Sequence, residues 1–188
     1  EEEVKKLIAK IKGRFESIPP IPANTNITDR DFATTLNRTI DQLQREATNW
    51  SVLIPPKYSF SFEVERTRLN YSSNSLYPLS IQLGEVKAIC DVLFKAKVNS
   101  FDNLRRERVA AEDNSGQLTD YLDRKSVTNE LAIISPYEVT FRCFTPELAM
   151  VLTGFANAVN GLVVKGINVE PVPQQAVEEV QPMTPIYV

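Results

Sequence analysis

PYEVTFRCFTPELAMVLTGFANAVNGLVVKGINVEPV, residues 136–172, is the stretch whose reading decides the fold. Tyr137, Val139, Phe141 and Cys143 alternate with Glu138, Thr140 and Arg142, so an extended chain here has one apolar and one polar face, as a half-buried strand requires. Thr145, Pro146 and Glu147 then supply an N-cap, a first-turn proline and an acid at the positive end of a helix dipole. The helix turns Leu148, Val151, Leu152, Phe155 and Val159 inward and is expected to end at Gly161. A strand follows over 162–169, with Gly166 shifting the register so that Leu162, Val164, Ile167 and Val169 share a face before Pro171 and Pro173 end it.

Working outward, Tyr58, Phe60, Phe62 and Val64 alternate with Ser59, Ser61, Glu63 and Glu65, which predicts a first strand. Helical spacing returns through Leu79, Leu83, Val86, Ile89, Cys90, Leu93 and Ala96, and the Arg-rich stretch Phe101 to Val109 reads as a charged edge strand. Residues 110–131 form a polar excursion longer than most connections, either functional or mobile. The order strand, helix, strand, strand, helix, strand predicts an α+β fold, a ferredoxin-like βαββαβ two-layer sandwich with both helices on one sheet face. A further helix precedes it. Thr28 and Asp31 make a capping box, Ile27 and Phe32 a hydrophobic staple, so that helix should start at Asp29 and bury Phe32, Leu36, Ile40, Leu43, Ala47 and Trp50.

Ahead of that, residues 1–18 place Val4, Leu7, Ile8, Ile11, Phe15 and Ile18 at three- and four-residue steps among charges, an amphipathic helix whose stripe packs on its own domain or on another helix. The prolines of 19–27 make a stiff linker. The expected organisation is therefore an amphipathic, coiled-coil-like helix (1–18), a proline-rich linker (19–27), an α+β domain (28–171) and a flexible tail (172–188).

The chain of 188 residues contains no His, which removes Ser-His-Asp and Cys-His catalysis and imidazole metal ligands together. No catalytic residue, metal site or cofactor is expected. With 6 Gly there is little material for phosphate-gripping loops, and no phosphate-loop or nucleophile-elbow motif occurs. A formal net charge of -3 disfavours nucleic acid. An RRM-like RNA binder shares the strand order, yet its stacking platform would fall on Ser59, Ser61, Glu63, Glu138, Thr140 and Arg142, where no aromatic stands. Glu63 and Glu65 read as a solvated strand face, and Arg105, Arg106 and Arg108, near Arg66 and Arg68, as edge-strand charge. Cys90 and Cys143 read as small buried hydrophobes with inert thiols rather than a disulfide. No secretion signal is present, and the longest uncharged run, 148–164, is too broken to span a bilayer.

The charged helix, the proline break and the strand–helix–strand of 136–172 resemble the PilO and PilN group of pilus-assembly accessory proteins. Residues 19–172 are similar in order and spacing to the family of the Akkermansia pilus-associated outer-membrane protein, with LGEVKAICDVLFKA (83–96) at the place of that family's second helix. The resemblance implies a noncatalytic protein of the bacterial cell envelope, in the periplasm or at the outer-membrane surface, tethered through an upstream transmembrane helix and coiled coil. It implies a homodimer or sister pilus-assembly proteins as partners, and assigns Val4, Leu7, Ile8, Ile11 and Phe15 to helix pairing. Two other readings compete: a secreted or surface ligand that meets a receptor on another cell through 110–131, and a small hydrolase or RNA binder.

Overall fold

The computed structural model describes residues 2–3, 5–6, 16–24, 26–72, 74–130 and 132–171. Helix α1 (Asp29–Asn49) begins where its capping box predicts: Thr28 Oγ1 accepts from the Asp31 N–H at 3.2 Å and donates to Asp31 Oδ2 at 2.7 Å. Its apolar stripe Phe32, Leu36, Ile40, Leu43 and Ala47 is completely buried. The stripe meets helix α3 (Leu76–Lys95), which buries Leu79, Leu83, Val86, Ile89, Cys90 and Leu93. Helix α2 is a single turn (Glu63–Arg66) between them in sequence, and α4 (Thr145–Ala156) packs on α3 with Val151 inward.

Strand β1 (Ser100–Glu107) is the centre of a three-stranded sheet, flanked by β2 (Tyr121–Leu122) and β5 (Tyr137–Arg142). β5 runs antiparallel to it and β2 parallel, pairing with Arg106 and Glu107. A bulge between Phe101 and Asn103 inverts the parity of β1, so Phe101, Leu104 and Arg106 all point into the core. Strands β3 (Val127–Thr128) and β4 (Ile133–Ile134) form a separate hairpin.

The architecture is α+β, with several departures from the sequence-based expectation. The Arg-rich stretch is the central strand, not an edge, because 110–131 folds back and pairs through Tyr121 and Leu122. That excursion is packed: Glu112, Asp113 and Tyr121 are buried. The expected strand over 58–65 is a turn followed by α2. Lys57, Phe60 and Ser61 hold φ of 56, 50 and 64°, which bends the chain, and Ser59 and Ser61 are buried along with Phe60 and Phe62. Side chains replace the missing ladder, since Tyr58 OH accepts from the Leu104 N–H at 2.7 Å and Ser61 Oγ donates to the Leu104 carbonyl.

At the other end, α4 stops at Ala156 rather than Gly161, leaving Val159 exposed, and 162–169 lies in no helix or sheet. With no strand at 58–65 the sheet ends at β5, so the ferredoxin-like βαββαβ order is not formed among the described residues. Trp50 caps α1 and stays 40% exposed, because the chain turns at Ser51 (φ 60°) before the stripe is completed. Glu16 to Ile18 are not helical, so the helix expected over 1–18 does not include them.

Candidate functional site

The stripe assigned to helix pairing, Val4, Leu7, Ile8, Ile11 and Phe15, lies outside the described residues; its neighbours Glu2, Glu3, Lys5 and Lys6 are helical and exposed. The segment after the stripe is anchored to the domain. The Glu16 N–H donates to the Val159 carbonyl at 2.9 Å, and the Ile21 N–H to the Ser80 carbonyl at 2.8 Å. Pro19 lies so close to α3 that a Cβ on Gly84 would stand 2.3 Å from its carbonyl oxygen. The start of the proline linker is thus fixed along α3.

The strongest concentration of charge is inside the domain. Arg106 is completely buried, and a guanidinium has five N–H donors to satisfy. Each finds an acceptor: Nε the Ser61 carbonyl at 2.9 Å, Nη1 Gln82 Oε1 at 2.7 Å and the Glu107 carbonyl at 3.4 Å, Nη2 Glu65 Oε1 at 2.9 Å and Asp113 Oδ1 at 2.7 Å. The flat faces are covered as well, with the Phe62 ring centroid 4.4 Å and the Tyr121 centroid 5.0 Å from Cζ. Asp113 Oδ2 accepts from the N–H groups of Val109 and Ala110 at 2.7 and 2.9 Å. One side chain thereby ties the 58–62 turn, α2, α3, β1, the 110–115 turn and β2 together.

Two carboxylates face one guanidinium, so one of them keeps a proton. Burial pushes Glu65 up to about 8, and its hydrogen bond with Asp113 adds to the shift. Burial also acts to raise Asp113, but the Glu65 proton and Arg106 outweigh it and hold Asp113 below the usual range. Burial works to lower Arg106, and Glu65 and Asp113 more than reverse that. At neutral pH the group is an Arg106–Asp113 ion pair beside a Glu65 held neutral, and Glu65 Oε2 has no hydrogen-bond partner among the described residues. A second, half-buried contact, Tyr137 OH to Glu85 Oε2 at 2.5 Å, joins β5 to α3.

Chemically this cluster is a lock. Its members are sealed from solvent, and the two best-formed surface clefts lie elsewhere: one of about 430 Å³ lined by residues including Val92, Met150 and Leu162, the other of about 440 Å³ by residues including Trp50, Lys97 and Phe144. Among the described residues no group of His, Cys, Asp or Glu could hold a metal ion, and no helix is long and apolar enough to cross a membrane. Within the cluster, sequence reasoning misplaced Glu65, expected on a solvated face, Arg106, expected as edge charge, and Ser61, expected on the outward face of a strand. The arginines do not gather into a basic patch: Arg66 pairs with Asp41 at 3.1 Å, Arg105 with Glu138 at 3.2 Å, and Arg108 lies 3.8 Å from Asp123. Cys90 is buried and Cys143 half-buried, both as free thiols.

Comparison with known proteins places this fold. A pilus-like family profile matches residues 2–171, the N-terminal segment and all of the described domain. The chain belongs to this pilus-like family. It is a family of structural proteins and not of enzymes. Solved structures from Akkermansia muciniphila share the fold of this pilus-like chain. A core domain is 14% identical with a TM-score of 0.58, covering 84% of this chain and 80% of that one. A second structure is 17% identical, with a TM-score of 0.57 and coverage of 85% and 78%. A third, solved without its transmembrane region, is 15% identical, with a TM-score of 0.60 and coverage of 82% and 79%. No curated protein matches the sequence.

Proposed function

We propose that this pilus-like chain is a noncatalytic module of the bacterial cell envelope that works by protein–protein association, as PilO- and PilN-type accessory proteins do. The observation that carries the reading is the family match running through the amphipathic N-terminal segment into a domain whose reactive groups are buried in a satisfied lock. In this reading the full protein is tethered by an upstream membrane anchor, like its relative with a transmembrane region. The stripe Val4, Leu7, Ile8, Ile11 and Phe15 pairs with a second copy or a sister pilus protein, and no nucleic acid or cofactor takes part. In this reading the β1–β5 pair with α3 and α4 corresponds to the second and third strands and the two helices of a ferredoxin-like unit whose first strand is not formed among the described residues. The test is sedimentation equilibrium of the wild type and L7D/I11D. The wild type should associate and the variant dissociate; a monomer at high concentration in both removes the helix-pairing model.

The receptor-ligand reading keeps one specific support, the hairpin β3–β4 with Val127 and Ile133 61 and 69% exposed. Replacing 126–134 by a short Gly-Ser link should abolish cell binding if it holds. Deleting all of 110–131 cannot serve, because it removes Asp113 and Tyr121 from the core.

A further inference from the structure

Two unsatisfied elements are open in the same chain. The sheet ends at β5, whose outward backbone groups meet no strand among the described residues. The segment 162–169, which carries a strand's apolar pattern, lies in no helix or sheet, with Val163, Ile167 and Val169 74, 54 and 70% exposed and nothing within 4 Å of where a Gly166 Cβ would be. A row of free backbone groups beside exposed β-branched side chains is the arrangement that recruits another strand.

We propose that residues 164–170 of one copy add as a parallel strand to the outer edge of β5 in a second copy. The register follows from the side chains. Setting Val164 beside Tyr137 and letting Gly166 bulge out places Ile167 beside Val139 and Val169 beside Phe141, apolar against the half-buried inner face of β5. The same setting puts Lys165 beside Glu138, Asn168 beside Thr140 and Glu170 beside Arg142. Glu138 already binds Arg105 at 3.2 Å and Arg142 binds Asp102 at 2.8 Å across β1. The added strand therefore extends two rows of alternating charge, Arg105–Glu138–Lys165 and Asp102–Arg142–Glu170. Asn168 Nδ2 donates to Glu170 Oε1 at 2.9 Å, so the two already share the side that would face outward. The antiparallel alternatives that place Lys165 beside Arg142 put like charges together. In its own chain the segment forms no ladder with β5, so both edges are unpaired among the described residues, and donation from copy to copy is heterologous and propagates. This deepens the association reading but uses a different surface from the N-terminal stripe.

The test is cross-linking in full-length chain carrying C143S, with T140C in one preparation and N168C in another, repeated in the L7D/I11D background to separate it from helix pairing. Mixing the two under mild oxidation should give a covalent dimer, the double variant T140C/N168C a ladder, and adding I167D should cut the yield about tenfold, as loss of a buried aliphatic contact implies. Closure of the double variant within single chains would show the strand adding to its own sheet and overturn exchange between copies. So would absence of any cross-link, or a yield indifferent to I167D.

Discussion

Replacing Arg106 tests whether the buried cluster holds the domain together. Arg106→Ala leaves Asp113, in a site with 0% exposure, without its guanidinium, with the N–H groups of Val109 and Ala110 and the Glu65 carboxyl as its remaining partners. It also strips an acceptor's partner from Ser61, Gln82 and Glu65 at once. Breaking a buried pair in this way costs about 3–5 kcal/mol, a large part of the roughly 5–15 kcal/mol that holds a domain folded. Arg106→Lys keeps the charge but lacks the planar fork, so it should recover only part of the loss. The readout is urea denaturation followed by the single Trp50 and by circular dichroism. A loss below about 1 kcal/mol for Arg106→Ala, the size expected of an exposed pair, would refute the reasoning.

Protonation sharpens the test. Glu65 is raised from the ordinary 4.5 to about 8, so the folded state holds a proton that the unfolded chain has released across that interval. The stability this group contributes is complete below 4.5 and is lost as pH rises through 8. Asp113 runs the other way: held below its ordinary 3.8, it contributes fully above that value and loses the contribution as pH falls through its folded value. Glu65→Gln copies a neutral carboxyl, so at pH 7 it should cost far less than Asp113→Asn and should flatten the decline in stability toward pH 8. Equal costs for the two, or an unchanged alkaline slope in Glu65→Gln, would mean that Glu65 is ionised.

Two further outcomes follow from packing. Gly84→Ala pushes a Cβ into the Pro19 carbonyl at 2.3 Å, and overpacking of this kind costs about 1–3 kcal/mol, so hydrogen exchange at Ile21 should speed up by more than that in β1 as the linker lifts from α3. Burial raises the Cys90 thiol well above its ordinary value, and Cys143 lies at the partly open end of β5; a maleimide should label Cys143 in the native protein and Cys90 only with unfolding, as mass spectrometry would show.

Much of the scaffold is legible because its signals are one-sided and local. The Thr28–Asp31 box fixes the start of α1, the stripe from Leu79 to Leu93 fixes α3, and the alternation from Tyr137 to Arg142 fixes β5. The lock is illegible for three physical reasons. The bulge near Asp102 inverts the parity of β1, so alternation counted from Phe101 turns Arg106 outward. The Glu65 partner lies 41 positions away, on a segment whose serine–aromatic alternation imitates a strand, and positive φ at Phe60 and Ser61 is not written in a binary pattern. Asp113 sits in a polar run that reads as loop because burial of a charge requires a partner which local sequence does not reveal. One signal could have found it: Leu104 and Arg106 share a parity, and the aromatic–aliphatic pair Tyr121–Leu122 interrupts the polar excursion where a core anchor would.

The lock also explains how a chain with so polar an excursion keeps a defined shape. A salt-bridged core adds little net stability over an apolar one, but it admits few alternatives, since any other packing strands a charge. Arg106 selects one position for the 58–62 turn, α2 and 110–115 relative to β1, and those segments occupy the side of β1 opposite β5. With that side filled by turns and side chains, growth of the sheet is confined to the β5 edge. In the proposed exchange, a fold that closes one edge with a buried ionic network and leaves the other open directs strand addition to a single face. If Arg106→Met restored full stability yet allowed new oligomers cross-linked through residues near Leu104, the directing role of the lock would stand apart from its energetic one.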